Sequence, residues 1–371
     1  MEFPFPVAAV SEGAANLLVP DVPRRKGPGT AGPWPFYNPT MAVNRDLGAI
    51  VLGKWPRPLG SVLDGLAATG AWGVRMALEA GVGHLTLNDR SRESTRLIRE
   101  NLRRNKLAAD VHTGDLSAYV RERRYDFVDV DPFGPPTPFL GAVFDAASES
   151  SGVGITATDT AVLCGTYPNA CERRYGARSL RCAQGAEIGI RILLGYCQCL
   201  ASARRKQIRP ILAFSAEHFL RVYVSLVRDS GPEPIGHVFR AGAGHLVSTS
   251  GATRGAVGPL WLGPLGDAAV VRRLQPLSWS SVASARLLSL LKSESDMPAF
   301  FITTDELASR ERRSPPRLDQ FIDGLRAIGF RATRTHFHPR GVKTDAPPQD
   351  CARVFRELSP TGSTGDSGPA S

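Results

Sequence analysis

Asp129-Val130-Asp131-Pro132-Phe133-Gly134 brings two carboxylates, a proline and an aromatic ring together at the end of an apolar run. A carboxylate beside an aromatic suits a planar base that carries an exocyclic amine: Asp131 accepts the amine hydrogens while Phe133 stacks on the ring. Such an amine is a poor nucleophile because its lone pair is conjugated with the ring. Hydrogen bonds to Asp131 help localise that pair, and the carboxylate takes up the proton as a new bond to nitrogen forms.

Further candidates lie upstream. The turn from Asp64 to Gly73 (DGLAATGAWG) holds glycines, Gly70 among them, that let the backbone approach a ligand closely. Asp89 follows 25 positions after Asp64, where an acid can accept from both hydroxyls of an adenosine ribose. Asp115, followed by Leu116, is placed to read an adenine edge. Any one of these aspartates alone is more often a turn former or a helix cap. Together they describe a pocket for either a dinucleotide or S-adenosylmethionine, and the Asp131-Pro132-Phe133 turn, with its fit to an amine-bearing base, selects the methyl donor.

These residues need a scaffold that brings strand ends together. Strand-like runs at 61–66, 84–89, 109–115, 125–134 and 152–159 alternate with helical patterns at 73–80, 91–106, 116–123 and 137–150, which predicts a parallel α/β sheet. Two more strands are expected at 209–219 and 220–229, and the Gly, Pro, Ser and Ala of 230–260 read as loop. Helical periodicity returns between about 270 and 345, enough for a small further domain.

The chain has 371 residues, 42% apolar and 22% charged, with a mean hydropathy of −0.13. That excludes collagen, coiled coil and a wholly disordered chain. No apolar run reaches the roughly 18 residues of a membrane span, and a soluble, cytoplasmic protein is expected. The net charge of +10 points to a polyanionic partner. Nine Lys or Arg and two acids lie between Cys171 and Arg209, a local +7 that reads as a phosphate-binding face. The six cysteines form no CxxC, so no disulfide scaffold and no zinc site are expected.

Several long motifs, in order, carry a resemblance: FYNPTMAVNRD (36–46), LDGLAATGAWGVR (63–75), LND (87–89), DVDPFG (129–134), TATDTAVLCGTYPNACERRYG (156–176), GPLWLGPL (258–265) and ATRTHFHPRGVKTDAP (332–347). The chain resembles the tRNA guanine-26 N2-dimethyltransferases, archaeal type, from about Phe36 to Pro347. The resemblance implies a class I, Rossmann-like methyltransferase domain with a smaller α+β C-terminal domain. It implies transfer of one and then two methyls from S-adenosylmethionine to N2 of guanosine 26 in tRNA. By motif, Arg45, Arg75, Asp89 and Asp115 would hold the cofactor beside Asp64, Gly70 and Leu116. Asp131 would orient the amine, and Phe36 and Phe133 would sandwich the base.

The expected organisation is a flexible arm over 1–33, the catalytic domain over 34–229, a tRNA-recognition domain over 230–354 and a disordered tail over 355–371. Arg173, Arg174 and Arg178, together with Arg334, His336 and Lys343, are expected to contact tRNA phosphates. Many family members carry paired cysteines before GPLWLGPL; this chain has none there, and His237 and His245 alone make a poor zinc site. Three rivals stay open. A nicotinamide-dependent oxidoreductase would want GxGxxG, a non-catalytic tRNA-binding protein could dispense with the pocket, and a methyltransferase acting at another position, such as 27, would share the core chemistry.

Overall fold

A computed structural model describes residues 2–22, 32–228, 231–241, 245–249 and 255–359. The chain begins with an antiparallel hairpin, β1 (Val7–Glu12) and β2 (Ala15–Pro20). A single 3-10 turn leads into α1 (Ala42–Leu52), and strands then alternate with helices. They are β3 (Ser61–Asp64), α2 (Ala71–Glu79), β4 (His84–Asp89), α3 (Arg92–Arg104), β5 (Asp110–Thr113), α4 (Leu116–Arg121), β6 (Phe127–Val130), α5 (Thr137–Ala146) and β7 (Gly152–Ala157). Three helices, α6 (Thr160–Leu163), α7 (Pro168–Tyr175) and α8 (Gly185–Ser202), precede the hairpin β8 (Lys206–Ala216) and β9 (Phe219–Arg228).

Seven strands form one sheet in the order β5-β4-β3-β6-β7-β9-β8. β9 alone runs against the others, pairing antiparallel with both β7 and β8. The five strands expected between 61 and 159 are all present; the inner ones follow their apolar runs because a parallel strand covered on both faces reads as continuous apolar sequence, while β5 is a partly exposed edge strand. β7 is buried at all six positions. The chain leaves β3 toward β4 on one side, and β6 lies on the other, so the order reverses at β3 and a crevice opens at the carboxyl ends of β3 and β6.

Beyond β9 come β10 (Ile235–Arg240), β11 (Leu246–Thr249) and β12 (Val257–Trp261), a small sheet in the order β11-β10-β12. This corrects the expectation of a loop over 230–260. The glycines that suggested a loop permit close strand pairing: a Cβ on Gly258, which sits at φ +120°, would lie 2.9 Å from the Gly236 carbonyl oxygen. The remaining elements are α9 (Ala268–Arg273), α10 (Val282–Glu294), β13 (Ile302–Thr303), α11 (Thr304–Glu311), α12 (Leu318–Ala327), β14 (Ala332–Thr335), β15 (His338–Thr344) and α13 (Pro348–Leu358).

Burial redraws the expected boundaries. Residues 7–20 are no flexible arm: Leu17 and Val19 are buried in the core on one face of the large sheet, and Asn101 brackets Leu18 by hydrogen bonds to its N–H (2.6 Å) and its carbonyl (2.9 Å). Residues 23–31 of that arm lie outside the described residues. Leu260, Trp261, Phe300, Val270 and Leu291 pack into the two cores that flank the sheet. A third core, with Phe321, Leu325, Val342 and Phe355, spans 302–355. The tail expected from 355 is helical to Leu358 with Phe355 fully buried, and residues 360–371 lie outside the described residues.

One buried carboxylate ties the C-terminal segment to α8. Glu187 of α8 accepts from Lys343 Nζ (2.9 Å), from Arg191 Nη2 (2.8 Å) and from the Phe300 N–H (2.8 Å), all on Oε1. Burial would raise its carboxyl, but Lys343 and Arg191 outweigh that and hold it at about 2. The stability from this lowered value is complete above pH about 4.5 and is lost as pH falls toward about 2. Glu187→Gln, which leaves two buried cations unpaired, should lower the unfolding free energy at neutral pH by about 3–5 kcal/mol. In denaturant titrations across that acid window, wild type should lose stability more steeply than the variant.

Candidate active site

A cavity of about 490 Å³ lies over the carboxyl ends of β3, β4, β5 and β6. Its floor is the turn after β3, with Asp64, Leu66, Ala67, Ala68 and Thr69. Asp89 and Asp115 stand on one side of it, and Asp129, Asp131 and Phe133 on the other. Trp34, Phe36, Tyr37 and Arg45 from the chain before β3 line it too, as do Glu217, His218 and Phe219 from the β8–β9 turn.

Each acid is held by local structure. Asp89 accepts the N–H of Ala68 (2.8 Å) on one oxygen and that of Ser91 (2.9 Å) on the other, which fixes its plane and leaves lone pairs for a diol. Asp115 caps α4 by accepting from the Ala118 N–H (3.0 Å) while it lines the cavity beside Leu116, so cap and site residue coincide. Asp64 is buried beneath the turn and accepts from the Gly73 N–H (3.1 Å). A Cβ on Gly73 would lie 3.1 Å from that carboxylate and 2.7 Å from Leu87, so the close approach requires glycine.

Gly70 and Arg75 are not among the lining residues. Gly70 adopts φ +76° to start α2 against Ile98 and Leu87, a turn function. Arg75 is fully buried away from the cavity, paired with Glu12 (2.9 Å), Asp46 (2.8 Å) and Glu79 (2.9 Å). Its place off the cavity lining, with its guanidinium taken up by three carboxylates, gives it a structural setting rather than the expected contact with a cofactor.

The electrostatics favour a cationic ligand. Burial raises the Asp64 carboxyl well above its usual range, and Asp129, Asp131 and Asp89 add repulsion. Burial pushes Asp129 up to about 6 even though Arg221 pairs with it directly. Burial also raises Asp131, partly offset by Arg221, by the Thr156 hydroxyl and by Arg45. A donor set of crowded carboxylates, with Asp89 beyond them keeping lone pairs that a ribose diol could use, fits S-adenosylmethionine, whose sulfonium and ammonium groups would relieve the repulsion.

At the mouth, the DPFG turn is fastened by Thr158, whose Oγ1 accepts from the Gly134 N–H (2.6 Å). Phe133 is 45% exposed, and its ring centroid lies 4.6 Å from that of Phe36 at 76°, edge to face. The expected sandwich is therefore not formed: a base between two parallel rings needs a gap of about 7 Å, twice the carbon contact distance. The rings must part to admit it. Asn44 donates to Asp131 Oδ2 at 3.4 Å, and Asp159 is held by Tyr175 Oη (2.9 Å) and Arg174 (3.2 Å). Burial pushes the Cys164 thiol up to about 12, as suits a packed side chain rather than a nucleophile.

Sequence reasoning missed Trp34, Tyr37 and the β8–β9 turn. The first two lie in a Pro-rich stretch that resembles a linker. Glu217 and His218 gave no motif, and the strain at Glu217 (φ +47°) shows only in the fold.

The basic residues divide. Arg173, Arg174 and Arg178 are exposed, although Arg174 pairs with Asp159 and Arg178 with Glu172. Arg334 is exposed and pairs with Asp319. Two expected phosphate contacts are overturned. Lys343 is buried against Glu187, and the His336 ring is buried between Glu294 and the Ser215 N–H, so neither can reach a phosphate. Arg191 is likewise internal. Among the described residues no cluster of three His, Cys, Asp or Glu could hold a metal ion, and no helix is long and apolar enough to cross a membrane.

A family profile described as N2,N2-dimethylguanosine tRNA methyltransferase matches residues 18–234 and 243–356. A tRNA (guanine(26)-N(2))-dimethyltransferase of Thermococcus kodakarensis is 35% identical, covering 95% of this chain and 100% of that protein. One of Pyrobaculum aerophilum is 34% identical over 93% of this chain and 95% of that protein. Among solved structures, the complex of Trm1 from Pyrococcus horikoshii with S-adenosyl-L-methionine superposes with a TM-score of 0.83 at 32% identity, over 95% of this chain and 99% of that one.

The raised carboxyls carry a stability prediction for the ligand-free protein. A carboxyl raised in the fold contributes stability that is complete below its unfolded value, about 3.8, and is lost as pH rises, for Asp129 through about 6. Asp64→Asn keeps an acceptor for the Gly73 N–H but removes one crowded charge. Its ligand-free melting temperature at neutral pH should exceed that of wild type, with a flatter decline as pH rises.

Proposed function

The chain belongs to the N2,N2-dimethylguanosine tRNA methyltransferase family, and we propose that it transfers methyl groups from S-adenosylmethionine to N2 of guanosine 26 in tRNA, first one and then two. The observation that carries this is Asp131, held at the end of β6 beside an acid-rich cavity, with Phe133 next to it at the mouth. The cofactor supplies an electrophilic methyl group on a positively charged sulfur.

The chain's own residues do the rest. Asp89 is set to hold a ribose diol and Asp115 to face the adenine. Arg221 engages Asp129 and lies under the site, so that Asp131, in no ion pair among the described residues, presents its carboxylate at the mouth. Asp131 accepts hydrogens from the guanine amine, opposes delocalisation of its lone pair and takes the proton released on transfer. After one methyl, Asp131 gives its proton up to solvent, the amine keeps one hydrogen, and the ionised Asp131 accepts that one for the second transfer. Phe36 and Phe133, once parted, stack on the base.

For the partner, we place tRNA phosphates against Arg173, Arg174 and Arg178 on α7 and just beyond it, with Arg334 in the C-terminal domain. Tyr167, at the start of α7, adds an exposed ring. With tRNA as substrate, the working compartment is the cytoplasm.

Asp131→Asn should lower kcat by about 10²–10⁴-fold with cofactor affinity retained. In wild type the active form is the ionised one, so kcat/KM, which reports the free enzyme, should rise with pH through the raised Asp131 value and then level off; a flat profile would contradict the assignment. Replacing Arg173, Arg174 and Arg178 by Gln should reduce the slope of log affinity against log salt by about 0.7–0.9 for each phosphate that is no longer neutralised. An unchanged slope would remove those arginines from the interface.

A further inference from the structure

The N-terminal hairpin ends in a carboxylate that no part of the chemistry above uses. Glu12, the last residue of β1, takes Arg45 in a two-pronged pair: Nε to Oε1 at 2.6 Å and Nη2 to Oε2 at 2.6 Å. Nη2 also donates to the Asn38 carbonyl (3.0 Å), and Nη1 donates no hydrogen bond among the described residues. Arg45 is buried, yet it lines the cavity.

Glu12 is itself held from two further sides. Arg75 Nη1 donates to Oε1 (2.9 Å) and Tyr37 Oη to Oε2 (2.7 Å). Arg75 cannot follow it elsewhere, because Asp46 and Glu79 pin its guanidinium and Trp279 lies 4.5 Å beneath it. The hairpin tip has one seat. Gly13 sits at φ +58°, where a side chain would collide with Glu79 and Arg75, and the Ala14 N–H is bound by Glu79 Oε1 at 2.8 Å. Burial would raise the Glu12 carboxyl, but Arg45, Tyr37 and Arg75 hold it down at about 2, so it stays ionised.

We propose that the hairpin is part of the cofactor site and that Glu12 is a positioning residue: it orients Arg45 so that the free edge of the guanidinium faces the carboxylate of the cofactor's methionine half. This rests on S-adenosylmethionine occupying the cavity. The chemistry selects that group. Among the cavity's many acids, Arg45 is the buried cation, and the carboxylate is the one anion that the cofactor carries. A guanidinium gripped along Nε and Nη2 keeps a defined direction for its remaining N–H donors, and a planar fork loses little freedom on binding a carboxylate. Arg75, expected by motif to touch the cofactor, acts instead through Glu12 on Arg45.

Two probes separate positioning from general stability. S-adenosylhomocysteine carries the amino-acid carboxylate, whereas 5′-methylthioadenosine has the same adenosine and sulfur without it. By calorimetry, Glu12→Gln should weaken S-adenosylhomocysteine about tenfold, the worth of one hydrogen bond to a charged group, and leave methylthioadenosine unchanged to within about twofold. In an Arg45→Gln background, Glu12→Gln should have no further effect on either probe. If Glu12→Gln does not fold, Glu12→Asp keeps the charge but falls one methylene short of the two-pronged pair, and it should show the same selective loss. Equal weakening of both probes, or undiminished affinity for S-adenosylhomocysteine, would overturn the positioning role. Wild type that binds neither probe would instead overturn the cofactor reading on which the proposal rests.

Discussion

Four carboxylates, Asp64, Asp89, Asp129 and Asp131, converge on one crevice at the carboxyl ends of a largely parallel sheet. The site depends on how that charge is held. Parallel strands force their loops to one end, and the reversal of strand order at β3 draws the loops after β3 and β6 together. Burial, with mutual repulsion, shifts Asp64, Asp129 and Asp131 toward neutrality. Arg221, reaching in from β9, pairs with Asp129 and is the main charge opposing the rise at Asp131. The antiparallel strand is thus part of the site as well as of the fold. The remaining imbalance favours a cationic ligand, which links the sheet's topology to the choice of a sulfonium methyl donor.

Two elements outside the alternating βα core complete the arrangement. The N-terminal hairpin brings Glu12 to Arg45 and Arg75, and the β8–β9 turn brings Glu217 and His218 to the cavity mouth. Residues 257–300 pack against both faces of the sheet, so the last core begins near 302. Glu187 with Lys343, and Glu294 with His336, bind that last segment to α8 and α10 by buried polar contacts. The C-terminal segment, with Arg334 on its surface, is therefore held at a defined distance from the cavity.

Where sequence was informative, the physics was local. Buried parallel strands and amphipathic helices have short-range signatures, and Asp89, Asp115, Asp131 and Phe133 stand at strand ends that those signatures locate. Glycine showed where the chain comes close but not to what. In the turn after β3, Gly70 and Gly73 approach Leu87, Ile98 and Asp64, and at Gly258 and Gly236 the same permissiveness serves strand pairing that composition reads as loop. Charge was legible in amount but not in place. Arg75 meets Glu12 across 63 positions and Lys343 meets Glu187 across 156, and no local pattern reveals that these cations are internal. The hairpin at 7–20 was hidden for a related reason: its strands are short and lie beside a Pro-rich stretch, and what buries Leu17 and Val19 is a surface formed much later in the chain.

The central claim is that Asp131 serves methyl transfer to one guanine amine of tRNA. The most direct measurement is position-mapped nucleoside mass spectrometry on an unmodified tRNA transcript incubated with labelled S-adenosylmethionine, using wild type and Asp131→Ala side by side. The account predicts N2-methylguanosine followed by N2,N2-dimethylguanosine at position 26 with wild type, and neither with the variant although it still folds and binds cofactor. Full turnover by the variant, or no transfer by folded wild type that binds tRNA, would contradict it.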